Sequence, residues 1–248
     1  MRTTLRRALL LACLALAAAA PARAQIPDTF TNLKVLPKTI SRDSLVATMR
    51  YFATALGVRC WYCHVGGDTV TLEGMRFDDD EDEDKEKARF MLRMVDRLNG
   101  ELLADMSRRD EPSLHVECAT CHGGLPRPQT LESTLLQTVA TAGVDSAIAR
   151  YRQLRTAYYG SRAYDFRPFR LMDVARPLTR QGKTAEALRM LVLNAEFYPR
   201  YTPNWILMGD VHAARNEREA ALAAYQKALE IEPNNALVQQ RLERIRRT

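Results

Sequence analysis

The sequence predicts a mainly α-helical protein built of two modules. Apolar residues recur at helical spacing along much of the chain, only 7% of the residues are aromatic, and the last third repeats itself with a period of about 34 residues. The chain has 248 residues, of which 46% are hydrophobic and 27% are charged. This is the composition of a globular protein, so it excludes a fully disordered chain and a collagen-like fibre.

The chain opens with a predicted secretory signal over residues 1–24. It begins with several arginines, continues with a thirteen-residue apolar stretch, Ala8–Ala20, and ends in a small-x-small cleavage site at Ala24. We therefore expect the mature chain to begin at Gln25 and to be exported. The alternative is a lipid anchor on Cys13, because the residues before it loosely resemble a lipoprotein box.

The charge of the chain points to no nucleic-acid partner. The formal net charge of +6 falls to +2 without the leader, because the leader holds four arginines and no acidic residue. The rest of the sequence contains no cluster of Lys and Arg interleaved with aromatic residues, which is the pattern typical of nucleic-acid binding. No stretch of about 18 or more apolar residues is present either, so the mature chain is expected to lack a transmembrane segment.

The first module, residues 25–130, is predicted to alternate helices and loops. One helix is expected between an N-cap at Ser41 and a stop at Gly57. A second is expected from Lys85 to Leu103, with the acidic run Asp78–Asp84 at its N-terminal end, where carboxylates interact favourably with the helix dipole. The predicted loops are residues 58–77 and 104–130.

Each of these loops contains a C-x-x-C-H motif. Cys60-Trp61-Tyr62-Cys63-His64 is the first, and Cys118-Ala119-Thr120-Cys121-His122 is the second. In this pattern the two sulfurs form thioether bonds to the vinyl groups of a c-type haem, and the adjacent histidine binds the iron. We therefore predict two covalently bound haem c groups. The predicted thioether residues are Cys60, Cys63, Cys118 and Cys121, and the predicted iron ligands are His64 and His122.

Three other uses of these cysteines explain less of the pattern. A thioredoxin-like redox pair requires neither the following histidine nor a second copy. A structural zinc site wants four ligands, and adjacent Cys and His side chains cannot easily occupy two corners of one tetrahedron. Short-range disulfides leave both histidines unexplained. The export signal agrees with haem attachment, because in bacteria these thioethers form outside the cytoplasmic membrane.

The sixth ligand of each iron decides what the haem can do. An open site permits peroxide or oxygen chemistry, whereas a Met or a second His closes the site and leaves electron transfer. Met49 lies in the centre of the apolar stripe of the first helix, and Met91 lies similarly on the second, with Met94 three residues further on. A methionine on such a stripe is more often part of the packing. Here, however, both halves of the module repeat the order helix, methionine, loop and motif.

Two stretches resemble the cytochrome c subunit of photosynthetic reaction centres and its dihaem bacterial relatives. Residues 32–64 include Ala55-Leu56-Gly57-Val58-Arg59 directly before the first motif, and residues 87–123 include Leu98-Asn99. The resemblance implies units of helix, loop and C-x-x-C-H, with a haem along each helix. It also implies Met49 and Met91 as distal ligands, with Met94 as the alternative to Met91. The reaction-centre subunit carries four haems, whereas this chain has two motifs.

The second module is predicted to be helical throughout. Residues 131–164 are expected to form a helical connector, and residues 165–248 two copies of the repeat followed by a solvating helix, Ala236–Arg247. Gly182 aligns with Asn216 in the two copies. The repeat resembles the tetratricopeptide repeat, whose helix–turn–helix units stack on one another. Two copies fall short of the usual three, so we expect them to pack on the connector or on the first module.

Together these features predict a periplasmic dihaem c-type cytochrome that passes single electrons between redox partners and is not an enzyme. The repeats would help to dock a redox protein or a membrane electron-transfer complex, since stacked repeats form concave binding surfaces. A dihaem peroxidase, which needs one open haem, is the enzymatic alternative. A haem-containing scaffold or sensor that acts through its repeats is the other. Photosynthetic and respiratory roles are both compatible with the sequence.

Overall fold

The computed structural model describes residues 27, 29–104 and 114–247. The chain forms two compact units, Met1–Pro126 and Arg127–Thr248. The predicted signal, its cleavage site and Cys13 lie outside the described residues. In the part of the chain that is described, no helix is both long enough and apolar enough to span a bilayer.

The described part of the first unit holds three α-helices, two short helical turns of other types and one short hairpin. Val65 pairs with Arg76 across this antiparallel hairpin. The sequence predicted a loop here, because strands of two residues are too short to show an alternating pattern. The elements are α1 (Arg42–Leu56), a 3-10 helix (Cys60–Tyr62), β1 (Val65–Gly66), β2 (Met75–Arg76), α2 (Glu83–Arg97), a π-helical turn (Leu98–Leu102) and α3 (Cys118–His122).

Helix α1 forms as predicted. The hydroxyl of Ser41 accepts a hydrogen bond from the N–H of Ser44 at 3.2 Å and so caps the helix. Gly57 follows the last turn with φ +66°, a left-handed conformation that favours glycine. Leu45 is buried and Met49 half-buried, so the predicted apolar stripe does face the protein at its N-terminal end.

Helix α2 begins inside the acidic run, two residues earlier than predicted. Asp82 caps it by accepting a hydrogen bond from the N–H of Asp84 at 2.9 Å. The acidic residues therefore lie at the positive end of the helix dipole, as predicted. The regular helix ends at Arg97 and gives way to the π-helical turn, where the sequence predicted an uninterrupted helix.

The buried face of α2 is charged, which the apolar stripe did not predict. Lys85 and Arg89 are only 9% and 7% exposed. Asp80 lies 2.8 Å from the guanidinium of Arg89 and 2.6 Å from the ammonium of Lys34. These two cations hold the pKa of the Asp80 carboxyl far below its usual range. The acidic run therefore also ties the lead-in segment of the chain to α2.

The described part of the second unit is a stack of six helices. Helix α4 bends at Gly143, where φ is +82°, and the chain between Tyr158 and Arg170 is not helical, in contrast to the prediction. Helices α4 to α7 share one hydrophobic core, which confirms that the repeats pack on residues 131–164. The helices are α4 (Leu131–Tyr158), α5 (Arg170–Arg180), α6 (Thr184–Phe197), α7 (Thr202–Ala214), α8 (Arg218–Ile231) and α9 (Ala236–Arg247).

The pairs α5–α6 and α7–α8 form the two copies of the repeat. Gly182 and Asn216, which align in sequence, occupy equivalent turns and are both left-handed, with φ +77° and +59°. Gly209 lies so close to the ring of Tyr225 that a β-carbon there would overlap it. Small residues thus let the helices of the repeat approach closely, and α9 then covers the second copy.

Candidate haem attachment sites

The first motif follows directly from the end of α1. Its 3-10 helix carries Cys60, and the N–H groups of Cys63 and His64 both bond to the carbonyl of Cys60, at 3.2 Å and 3.1 Å. This tight turn gathers both thiols and the imidazole within one short segment. Cys60 is exposed, whereas Cys63 is half-buried, and burial raises the pKa of the Cys63 thiol to about 11.

The imidazole of His64 is held against the hairpin. The ring of Phe77, just after β2, meets it edge-on with 5.1 Å between ring centroids. Burial lowers the pKa of His64 to about 4, aided by the nearby charge of Lys85. The ring is therefore neutral at pH 7, which is the form that binds a metal. Its Nδ1 atom is buried and lacks a hydrogen-bond partner.

The second motif forms helix α3. The hydroxyl of Thr120 accepts a hydrogen bond from the N–H of Glu117 at 3.0 Å, and Gly123 ends the helix at φ +57°. Nδ1 of His122 lies 2.7 Å from the carbonyl oxygen of Leu125. Since a carbonyl can only accept, Nδ1 carries a proton, and Nε2 is the ring nitrogen that remains to bind a metal. This orientation is typical of histidines that bind a metal through Nε2.

The two motifs meet at the C-terminal end of α1. The N–H of Gly124 bonds to the carbonyl of Ala55 at 2.9 Å, and the hydroxyl of Tyr51 donates to the carboxylate of Glu117 at 3.0 Å. Gly57 lies so close to Gly124 that a β-carbon on Gly57 would overlap the Gly124 carbonyl oxygen. One helix thus leads into the first motif and supports the second.

The candidate distal methionines lie on the helices that the sequence assigned them. Met49 is half-buried on α1. Met91 and Met94 are 40% and 38% exposed on α2, on the side of the helix away from Lys85 and Arg89. The two α2 methionines are exposed to nearly the same extent, so the choice of Met91 over Met94 stays a prediction.

The surroundings of the motifs fit a large apolar group. Both apolar clusters found among the described residues lie in the second unit, and the first unit buries few hydrophobic side chains. Apolar side chains on α2 and in the first motif are exposed instead, including Phe90 (59%) and Trp61 (49%). Covering one such side chain stabilises a protein by about 1.5–3 kcal/mol. A haem bound along α2 would do this.

The donor set also fits haem c better than a protein-only metal site. All four cysteines of the motifs are free thiols. Within residues 29–104 and 114–247, no group of three or more His, Cys, Asp or Glu side chains is placed to hold a metal ion. Thiols paired beside a histidine that presents one lone pair are what covalent haem attachment requires.

Comparison with known proteins agrees with this chemistry. A family model described as the photosynthetic reaction centre cytochrome C subunit matches residues 13–170. The chain belongs to this family. Members of the c-type cytochrome family bind haem c covalently and are typically electron carriers, so the predicted resemblance is confirmed. The family match extends beyond residues 32–123, within which the sequence analysis found the resemblance, and includes α4.

Individual relatives cover only parts of this cytochrome. Cytochrome c-554 of Chloroflexus aurantiacus is 34% identical over 102 residues, which are 41% of this chain and 22% of that protein. The chain therefore spans about a fifth of the length of this curated relative.

A tetratricopeptide repeat model matches residues 203–235, which contain most of α7 and all of α8. The Sgt2 TPR domain from Aspergillus fumigatus and the first TPR of Spaghetti (RPAP3), bound to an HSP90 peptide, are each 24% identical with a TM-score of 0.33. Each covers 47% of this chain, and the match covers 75% and 90% of those chains. The repeat assignment rests on the family match and on the helix pairs themselves.

Sequence reasoning missed two residues of the cytochrome unit. Phe77 contacts His64, but the hairpin that places it there left no pattern in the sequence. Asn99 bonds to the backbone just before the second motif. It stood within the stretch Leu98-Asn99 that carries the family resemblance, and a polar residue near the end of an apolar stripe was the available signal.

Proposed function

We propose that this cytochrome binds two haem c groups and passes single electrons between redox partners in the periplasm. The observation that carries the proposal is the presence of two complete C-x-x-C-H segments, in each of which a histidine directly follows the second cysteine. His122 presents Nε2 because its Nδ1 donates to Leu125, and His64 is held neutral by burial. A bound haem c supplies one-electron exchange between ferrous and ferric iron.

The residues of each site would divide the work as follows. Cys60 and Cys63 would hold the first haem, and Cys118 and Cys121 the second. His64 and His122 would bind the irons from one side, and Met49 and Met91 would close the other side, with Met94 as the alternative to Met91. Closed irons favour electron transfer over reaction with peroxide, so the peroxidase function becomes the alternative to be tested.

Export and docking complete the proposal. Cleavage before Gln25 would release the chain into the periplasm, where thioethers form. The repeats would dock a redox protein or a membrane complex. The positive charge of the second unit favours a partner with an acidic surface. Residues 127–248 hold 19 Lys and Arg against 12 Asp and Glu, a net charge of +7. Residues 25–126 hold 13 against 18, a net charge of −5.

Mass and redox measurements test this function. The chain should be expressed with a c-type haem maturation system, and its intact mass should exceed that of the polypeptide from Gln25 by two haems. Replacing Cys60 and Cys63 with Ser should remove one haem. Replacing Cys118 and Cys121 with Ser should remove the other. A titration should show two one-electron steps. A single haem, or rapid turnover of peroxide, would contradict the proposal.

A further inference from the structure

Asn99 joins the methionine-bearing helix to the second motif. It lies in the π-helical turn that continues α2, and it is half-buried. Its side-chain N–H donates to the carbonyl of Val116 at 2.8 Å, and its side-chain oxygen accepts from the N–H of the same Val116 at 2.8 Å. The amide therefore pairs with both backbone groups of one residue, as a neighbouring β-strand would.

The contact between Asn99 and Val116 lies directly before the second motif. Val116 lies two residues before Cys118, in a non-helical segment that leads through the extended Glu117 into α3. The next residue, Glu117, is bonded to Thr120 inside the motif. The contact therefore ties the chain just before α3 to the end of α2, in addition to the contacts that α3 makes with α1. In the opposite direction, Asn99 continues the helix that carries Met91 and Met94, at a distance of about 8–12 Å along the axis.

We infer that Asn99 is a positioning residue for the second haem: it sets the distance between the α2 methionine and the second attachment motif, and so controls methionine ligation at that haem. The inference rests on the proposed function, since it requires a haem at Cys118–His122. It holds for Met91 and for Met94, because both precede Asn99 on one helix. The two hydrogen bonds of Asn99 link this turn directly to the segment before α3.

Substituting Asn99 should loosen one ligand without removing any haem. Asn99→Leu keeps the size of the side chain but breaks both bonds to Val116. Two ordinary hydrogen bonds correspond to about a 10- to 100-fold shift in an equilibrium. We expect the ratio of methionine-bound to open iron at the second haem to fall by this factor. Asn99→Asp keeps the acceptor and loses the donor, so its effect should be intermediate.

The experiment counts carbon monoxide bound per haem-loaded reduced chain. The parent should bind none, and Asn99→Leu should bind up to one. Combination with Met49→Ala, which opens the first haem, should add a second. Combination with Met91→Ala or Met94→Ala, whichever opens the second haem, should add nothing, because both changes act on the same iron. The methionine–ferric haem band should weaken in proportion.

Controls separate this role from a general loss of stability. Asn235→Leu removes an Asn side chain that bonds to Val238 N–H in the second unit, and it should leave carbon monoxide binding and both redox potentials unchanged. The first haem serves as an internal control for Asn99→Leu. If Asn99→Leu disturbs folding, Asn99→Asp decides. If the parent has two methionine-closed haems and the Asn99 variants also bind no carbon monoxide, the inference is wrong. The proposed function would be unaffected by that result. A parent with fewer than two haems would overturn the function itself.

Discussion

The contact between Gly57 and Gly124 makes a sharp prediction about the stability of the cytochrome unit. In Gly57→Ala, the backbone at residue 57 would have to keep its left-handed φ of +66°. The new methyl group would also overlap the carbonyl oxygen of Gly124. The left-handed conformation costs an alanine about 1–2 kcal/mol. Overlap with a backbone atom, which cannot swing away, adds about 1–3 kcal/mol. We therefore expect Gly57→Ala to lower the free energy of unfolding by about 2–5 kcal/mol.

Gly74→Ala is the matched control, because it isolates the overlap. Gly74 has nearly the same backbone conformation, φ +72°, but a β-carbon there would meet only the Cα of Gly67 at an ordinary 3.6 Å. It should cost about 1–2 kcal/mol. The assay is guanidinium unfolding of the haem-loaded protein, followed by haem absorbance, which reports the first unit. Equal losses in the two variants would refute the close approach of α1 to the second motif.

Three further predictions concern charge, ligation and domain structure. Asp80→Asn should destabilise the first unit at pH 7. Because the pKa of Asp80 is lowered by folding, its contribution is present above the ordinary Asp pKa of about 3.9 and is lost as the pH falls below that value, so the difference between variant and parent should shrink in acid unfolding curves. Met91→Ala should open the second haem to carbon monoxide while Met94→Ala leaves it closed, and the reverse pattern would identify Met94 as the ligand. A chain ending at Pro126 should keep both haem spectra in solution, whereas one ending at residue 164 should keep the spectra but aggregate, as followed by light scattering, because it exposes the core side of α4.

The sequence predicted those features of the fold that local chemistry controls. Ser41 caps α1 and Gly57 ends it because hydroxyl and glycine suit those positions in almost any context. The turns at Gly182 and Asn216 were found through the 34-residue period of the sequence, because equivalent positions of a repeat adopt the same backbone conformation. The motif cysteines and histidines were found because covalent haem attachment demands fixed residue types at fixed spacing.

The sequence could not predict features that depend on contacts between distant segments. The sequence has an apolar stripe on α2 but gives no sign that Lys85 and Arg89 are buried while Met91 is exposed. Helical periodicity reports which side chains share a face and does not report which face is covered. The partner that covers Arg89 is Asp80, which stood in the sequence as one of several consecutive acids, with nothing to mark it as the one that pairs.

The distribution of burial gives the two units different reasons to be folded. The second unit surrounds Tyr151, Leu171 and Met190 with its own helices, so its stability comes from side chains that the sequence supplies. In the described part of the first unit, the best-buried side chains of α2 are cations held by carboxylates, whereas apolar side chains such as Phe90 and Met91 on α2 are exposed. Paired charges define geometry but add little net stability. A haem on that surface would therefore act as cofactor and as core at once, because it would cover apolar side chains that are exposed to solvent.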